Sequence, residues 1–199
     1  MSDDPLLIDV PERLDGERTV LLAPRAGIGA ELAVVITQSL SHLRPWMPWA
    51  QEAPTAESSE LVVRRMLTDF IARRDLCFQI YARRADGSPG RLLGGTGLHR
   101  IDWTVRRFEI GYWIRPEALG QGHVSEAVRL LTELAFERLD ARRVEIRMDP
   151  RNMKSRAVAE RCGFVYEGTL RCDVLGVDGA PRDTCVFSKI RGETDRRGP

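Results

Sequence analysis

The segment that most restricts this chain is Gly111-Tyr-Trp-Ile-Arg-Pro-Glu-Ala-Leu-Gly-Gln-Gly-His-Val-Ser-Glu-Ala127. An apolar strand, Phe108-Glu-Ile-Gly-Tyr-Trp-Ile114, is stopped by Pro116 and passes through a turn holding Gly120 and Gly122. It then enters a helix with Val124, Val128, Leu131 and Ala135 on one stripe. Unpaired N–H groups and the partial positive charge at such a helix start suit a pyrophosphate, and glycine lets the backbone come close without a Cβ in the way. Taken alone, the turn reads equally well as a tight connection. A dinucleotide fold needs a third glycine and repeated βαβ units, and a Walker-type loop needs Gly-Lys-Ser/Thr; neither is found.

The elements around this unit build an α+β layout. Residues 19–25 read as a first strand, 29–39 as a helix, and Arg44-Pro-Trp-Met-Pro-Trp49 as a turn. Between 54 and 73 the pairs Val62/Val63, Met66/Leu67 and Phe70/Ile71 recur at helical spacing. Phe78-Gln-Ile-Tyr-Ala82 alternates as a strand, and Ala85-Asp-Gly-Ser-Pro-Gly90 is turn chemistry. Residues 91–101 form the return strand, with Gly94 and Gly95 marking a close approach or a bulge. The helix over 124–139 leads to the strand Arg143-Val-Glu-Ile-Arg-Met148 and a short helix over 153–162, stopped by Gly163. Strands near 164–174 and 183–189 close the chain. The pattern predicts one mixed sheet in a single domain over 1–199, with its core at about 17–191 and solvated ends.

Composition narrows the function. With 30 Lys plus Arg against 29 Asp plus Glu, the net charge is +1, and no basic run marks a nucleic-acid arm. Cys77, Cys162, Cys172 and Cys185 form no C-x-x-C pair and read as core fillers, not nucleophiles. With only His42, His99 and His123 beside them, no metal constellation assembles from local spacing. There is no signal-peptide pattern at the start, and no apolar run approaches the roughly 20 residues that span a bilayer. The expectation is a reduced, cytoplasmic protein that engages neither nucleic acid nor membrane.

A second motif gives the first its meaning. After the strand at 143–148 comes Asp149-Pro-Arg-Asn-Met-Lys-Ser-Arg-Ala-Val-Ala-Glu-Arg-Cys-Gly-Phe164. Taken with Glu109-Ile-Gly-Tyr-Trp-Ile114, Gly120-Gln-Gly122, Asn152-x-x-Ser155 and Cys162-Gly-Phe-Val-Tyr-Glu-Gly-Thr-Leu-Arg171, it resembles the GNAT superfamily of N-acetyltransferases, in its RimJ/RimL-like branch. The resemblance covers most of the chain. It implies a central, V-shaped sheet of about seven strands flanked by helices, and acetyl-CoA, or another acyl-CoA such as succinyl-CoA, as co-substrate without a metal. Backbone groups of Tyr112, Trp113 and Ile114 would pair with the pantetheine arm. Amides of Gly120, Gln121, Gly122, His123, Val124 and Ser125 would hold the pyrophosphate, and Asn152 would reach the pantetheine from the far side of the V. Two departures stand out. The superfamily loop Gln/Arg-x-x-Gly-x-Gly/Ala reads Leu119-Gly-Gln-Gly122-His-Val124 here, and the Tyr that many members carry seven residues after the Asn is Ala159.

Amine acylation needs an uncharged amine and a protonated leaving thiolate. An α-amine, with a pKa of about 8, needs less help from a base than a lysine at about 10.4. Glu109, on the strand before the cofactor turn, is the candidate base through water; the alternative is a strand carboxylate paired with Arg106 or Arg107. Asp173 is its rival. Ser155 resembles the branch's acid, and it also fits as the N3 residue of a helix capped by Asn152. Trp46 and Trp49 resemble acceptor-lining positions, with core cover as the alternative. An N–H at a strand bulge near Trp113 or Ile114 would face the oxyanion. The expected acceptor is a protein N-terminal α-amine or a small-molecule amine, acylated directly in a ternary complex. The rival readings are a non-catalytic acyl-CoA-binding module and a nucleotide-binding regulator. A homodimer could form through the apolar edge of the last strand.

Overall fold

A computed structural model describes residues 4–193 of the 199-residue chain. The outermost parts of the expected solvated ends, 1–3 and 194–199, lie outside the described residues. Eight strands form one sheet: β1 (Arg13–Asp15), β2 (Thr19–Leu22), β3 (Leu76–Arg83), β4 (Pro89–Asp102), β5 (Arg107–Ile114), β6 (Arg143–Met148), β7 (Val165–Leu175) and β8 (Pro181–Ile190). Four α-helices flank it: α1 (Gly29–Leu43), α2 (Ala56–Ile71), α3 (His123–Glu133) and α4 (Met153–Arg161). The order across the sheet is β1-β2-β3-β4-β5-β6-β8-β7. Every neighbour pair is antiparallel except β5–β6, which the crossover through α3 makes parallel.

The eighth strand is β1, a three-residue edge piece whose alternation is too short to read from sequence. The last strand, β8, lies between β6 and β7, so the exposed edge belongs to β7 and not to the chain's final strand as expected. Helix α3 ends earlier than its apolar stripe suggests, because Leu134–Arg138 widens into a π-helical turn with Leu139 N–H donating to Leu134 C=O at 3.2 Å.

Strand alternation divides the core. Leu76, Phe78 and Ile80 of β3 turn towards α3, where they join Phe108 and Ile110 of β5 and Val128 and Leu131 of α3, all buried. Tyr81 and Leu92 turn to the other face and pack with Leu32 and Val35 of α1 and Val63 of α2. Helix α2 is opened by a capping box in which Thr55 and Ser58 bond each other's backbone N–H at 3.0 Å each.

The strands beneath α1 and α2 carry a row of glycines. A Cβ on Gly94 would lie 2.2 Å from the Trp113 carbonyl oxygen and 2.8 Å from Ile114 Cα, so β4 and β5 can pair closely there only without a side chain. Gly94→Ala should therefore lose about 1–3 kcal/mol of stability through overpacking against backbone. Denaturant unfolding of the variant beside the wild type measures this, and an unchanged midpoint would show that the strands shift apart at no cost.

Candidate active site

The splay between β5 and β6 organises the site. The two strands pair only at Arg107↔Arg143, Phe108↔Val144 and Glu109↔Glu145. Beyond that point β5 stays with β4 up to Gly94↔Ile114, while β6 stays with β8 up to Met148↔Cys185. Arg115 N–H donates to Leu93 C=O at 2.8 Å. By antiparallel alternation, Trp113 then turns its backbone groups to β4, and Tyr112 and Ile114 turn theirs into the opening. These are the polar groups that an extended ligand could pair with. The register of β4 and β5 is unbroken from Gly94↔Ile114 to His99↔Glu109, so the bulge expected near Trp113 or Ile114 is not there; the irregularity falls between His99 and Asp102.

At the end of β5 the chain turns into α3 through Gly120 (φ +73°) and Gly122 (φ +85°), left-handed conformations that favour glycine. A Cβ on Gly120 would meet nothing within 4 Å, which leaves that backbone open to a ligand. Gly122 is the N-cap and supplies no side-chain acceptor, so the first amides of α3, from His123 to Ser125, have no side-chain cap. The flanking side chains are occupied. The His123 ring bonds Thr19 Oγ1 at 3.0 Å, and burial pushes its pKa down. Ser125 Oγ accepts from Arg161 at 3.3 Å, Gln121 donates to Glu117 C=O at 2.6 Å, and Val124 is half-buried against the core. Arg18 reaches Gln121 C=O at 3.2 Å, which puts a cation at the turn.

Across the splay, Asn152 caps α4 by accepting from Ser155 N–H at 3.1 Å. Ser155 Oγ lies 2.8 Å from the Tyr112 hydroxyl, which therefore reaches from β5 to α4. Burial pushes the Tyr112 phenol up, so it stays protonated. Sequence reading gave Tyr112 a backbone role only, yet its hydroxyl stands beside Ser155. Ala159 itself is buried in the core.

On the α1–α2 face a cavity of about 380 Å³ opens over β3, β4 and β5. Leu32, Met47, Trp49, Val62, Met66 and Trp113 form apolar walls, with Glu52 and Ser58 also lining it. Trp49 meets Trp113 edge-on, with ring centroids 5.8 Å apart. Trp46 is not among the lining residues; it sits half-buried in the turn that ends α1. The cavity floor includes Gly95, Gly111 and Tyr112, so it adjoins the splay along β5.

Glu109 shares the face of Gly111 and Trp113. Its partners are Arg100 (3.5 Å) and Arg147 (3.9 Å), not the neighbouring Arg106 or Arg107, and its Oε2 is buried without a hydrogen bond. Burial raises its pKa against the pull of the two arginines. Asp173 is the opposite case: hydrogen bonds from Thr184 and Arg147 hold its carboxyl below the usual range, which disfavours proton uptake.

The sheet also assembles a group that spacing concealed. Asp75, Cys77 and His99 bring their polar atoms within 4.8 Å of one another, although no metal constellation was visible in the sequence. His99 Nδ1 lies 2.8 Å from Asp75 Oδ2, and Cys77 Sγ donates to Asp75 Oδ1 at 3.0 Å. Cys77 thus has a carboxylate partner, contrary to the expectation of an unpaired core thiol. Burial and Asp75 push its pKa well up, so it remains a thiol. The available signal was the alternation that puts Cys77, Gly97, Gly111, His99 and Glu109 on one face.

An open sheet with unpaired strand backbone at its split, and an uncapped helix start beside it, suits a phosphorylated, extended ligand. Comparison with known proteins specifies the class: the Acetyltransferase (GNAT) domain matches residues 27–165. The chain is 36% identical over 167 residues to the "Putative ribosomal N-acetyltransferase YdaF" of Bacillus subtilis, covering 81% of this chain and 85% of the relative. It is similar to the crystal structure of the microcin C7 self immunity acetyltransferase MccE in complex with acetyl-CoA and AMP (TM-score 0.79, 25% identity, 88% of this chain and 93% of that one). Mycobacterium smegmatis RimJ in complex with CoA-disulfide is also similar (TM-score 0.76, 26% identity, 87% and 82%). The chain belongs to the GNAT family of N-acetyltransferases, in its RimJ/RimL-like branch. Such enzymes move an acyl group from acyl-CoA to an amine, and the splay and glycine turn fit acetyl-CoA.

The raised pKa of Glu109 makes a stability prediction. A carboxyl with a folded pKa above its unfolded value leaves the native state at full strength below the unfolded pKa and weakens it as pH rises through the folded one. Glu109→Gln removes that cost. Its melting temperature should match the wild type near about pH 4, at the carboxylate reference pKa, and exceed it at neutral pH. Thermal melts across that range test it, and a variant less stable at neutral pH would mean that the two arginines dominate.

Proposed function

We propose that this chain acetylates the α-amine of a protein N-terminus, in a ternary complex and without a covalent enzyme intermediate. The carrying observation is that the apolar cavity on the α1–α2 face and the β5–β6 splay share the segment from Gly111 to Trp113. An amine entering from the cavity would meet a thioester lying along β5. A cavity of about 380 Å³ suits one or two residues of a peptide. The ribosomal name of the YdaF relative supports a protein acceptor over a small-molecule amine.

In this reading the amides of Tyr112 and Ile114 pair with the pantetheine and those from Gly120 to Ser125 hold the pyrophosphate. Asn152 caps α4 with its Oδ1 and offers its Nδ2 to the pantetheine. Ser155, backed by the Tyr112 hydroxyl, protonates the departing thiolate, while Glu109 stands beside the cavity with Arg100 and Arg147 as its partners. Trp49 contacts the acceptor, and Trp46 supports the turn that carries it. No helix among the described residues is long and apolar enough to cross a membrane, and a cytoplasmic setting fits a ribosomal acceptor. Pairing of two copies along β7, which exposes Val165, Tyr166 and Leu170, is the assembly this edge would give.

Titration with acetyl-CoA should raise unfolding stability by about 2.7 kcal/mol at a hundredfold excess over its dissociation constant, with ATP and NAD inactive and succinyl-CoA weaker. Ser155→Ala should keep that stabilisation and lose about tenfold to a hundredfold in turnover on an N-terminal peptide. Stabilisation without acetyl transfer to any amine would favour the acyl-CoA-binding module, and stabilisation by ATP or NAD instead would favour the nucleotide regulator.

A further inference from the structure

We propose that His99 is the base that takes the proton from the acceptor amine, with Asp75 holding its ring in the tautomer this requires; the proposal rests on the acyl-transfer reading above. His99 lines the cavity, whereas its opposite number on β5, Glu109, is not among the lining residues. His99 Nδ1 lies 2.8 and 3.0 Å from the two carboxylate oxygens of Asp75. A carboxylate only accepts, so Nδ1 carries the hydrogen and the lone pair of the neutral ring lies on Nε2. Among the described residues nothing hydrogen-bonds Nε2.

The ring has its place because side chains are missing beneath it. A Cβ on Gly111 would lie 2.8 Å from His99 Cδ2 and 3.0 Å from Nε2, and one on Gly97 would lie 3.0 Å from Cε1. The imidazole therefore lies across the glycine floor with its Nε2 edge at Gly111, next to the segment where cavity and splay meet. Cys77 donates to Oδ1 of the same carboxylate at 3.0 Å and so helps to hold it. The ligand atoms of this cluster are thus engaged with one another, and its shape is that of an oriented imidazole.

Asp75, just before β3, and Cys77 of β3 face the ring, Glu109 lies opposite on β5, and Arg100 follows His99 on β4. Arg147 of β6 stands behind Glu109, Asp69 near the end of α2 lies within electrostatic reach of Cys77, and Glu52 lines the cavity. An α-ammonium in the cavity gives one proton to Nε2 and becomes the neutral amine. Its lone pair forms the bond to the thioester carbonyl carbon, and the C–S bond breaks with its electron pair leaving on sulfur. The remaining proton lost from nitrogen balances the one the sulfur gains, so amide and thiol leave neutral and one proton passes from His99 to water. Asp75 is a positioning residue, and Glu109 stabilises the imidazolium.

The test is a pH profile of kcat/KM on the full chain, with acetyl-CoA and an N-terminal peptide. His99→Gln should lose about a hundredfold near pH 6.5 while acetyl-CoA still raises its melting temperature as in the wild type. The deficit should shrink to a few-fold by about pH 9, where an α-amine with a pKa of about 8 needs no base. Asp75→Asn should show the same pH pattern with a smaller loss, and it carries the test alone if His99→Gln does not fold. Wild-type kcat/KM near pH 6.5 in His99→Gln overturns the assignment. So does an equal loss at both pH values, which would leave His99 a wall of the cavity. A wild-type chain that transfers no acetyl group fails earlier, at the reading on which this one rests, and overturns both.

Discussion

The short parallel contact between β5 and β6 is the constraint from which the rest of the site follows. The strands pair over three residues, Arg107–Glu109 against Arg143–Glu145, and then separate. Separation is tolerable because each strand keeps one complete partner, β4 for β5 and β8 for β6. What remains is one edge of β5 whose backbone groups at Tyr112 and Ile114 have no strand beside them, and buried backbone polarity calls for a partner. The Tyr112 hydroxyl reaches Ser155 on α4 and so bridges the two sides of the split with a contact that forms no part of the sheet. The opening thus has a defined chemistry: backbone on one side, a capped helix start on the other, and a hydroxyl pair between them.

The helix that leaves β5 is held in place from an unexpected direction. Glu126, buried in the first turn of α3, accepts from Glu17 N–H at 2.7 Å and from Arg18 N–H at 3.3 Å. A carboxylate there also suits the positive end of the helix. The contact depends on Gly16, because a Cβ at that position would lie 2.6 Å from Glu126 Cδ. The small β1–β2 hairpin is therefore a brace for the glycine turn, and it brings Arg18 to the turn's carbonyl at Gln121.

This brace marks the boundary of what the sequence discloses. The strand–turn–helix unit at 111–127 and the Asn152 cap are local, so their residues announce themselves through glycine, capping chemistry and helical period. The β1 strand and Glu126 are joined across more than a hundred positions, and neither a three-residue strand nor one acidic residue in a helix carries a period. The Asp75–His99 contact was hidden for the same reason. Asp75 immediately precedes β3 and His99 lies on β4, and the register of those strands, Leu76↔Leu98 and Cys77↔Gly97, is revealed only by the folded sheet. The two tryptophans of the Pro-flanked turn could not be told apart by type; Trp49 lines the cavity and Trp46 does not, a distinction set by the path of the turn.

The glycines of β4 and β5 explain why these hidden contacts cluster. Glycine weakens a strand, since it brings no side chain to the pleat and surrenders more backbone freedom on folding. Gly94, Gly95, Gly97 and Gly111 nevertheless occupy neighbouring positions of two paired strands. Each has something lying where its side chain would be. The Trp113 carbonyl lies at Gly94, the Trp113 indole at Gly95, the Leu76 carbonyl and the His99 imidazole at Gly97, and the His99 imidazole at Gly111. An aromatic ring held against backbone loses rotamer freedom to its neighbours, and the Asp75 and Trp49 contacts fix the two rings further. The local weakening of the sheet is thereby exchanged for a cavity floor on which an imidazole and an indole have fixed positions. A side chain restored at Gly111 would fill no void; it would lift the imidazole from its seat.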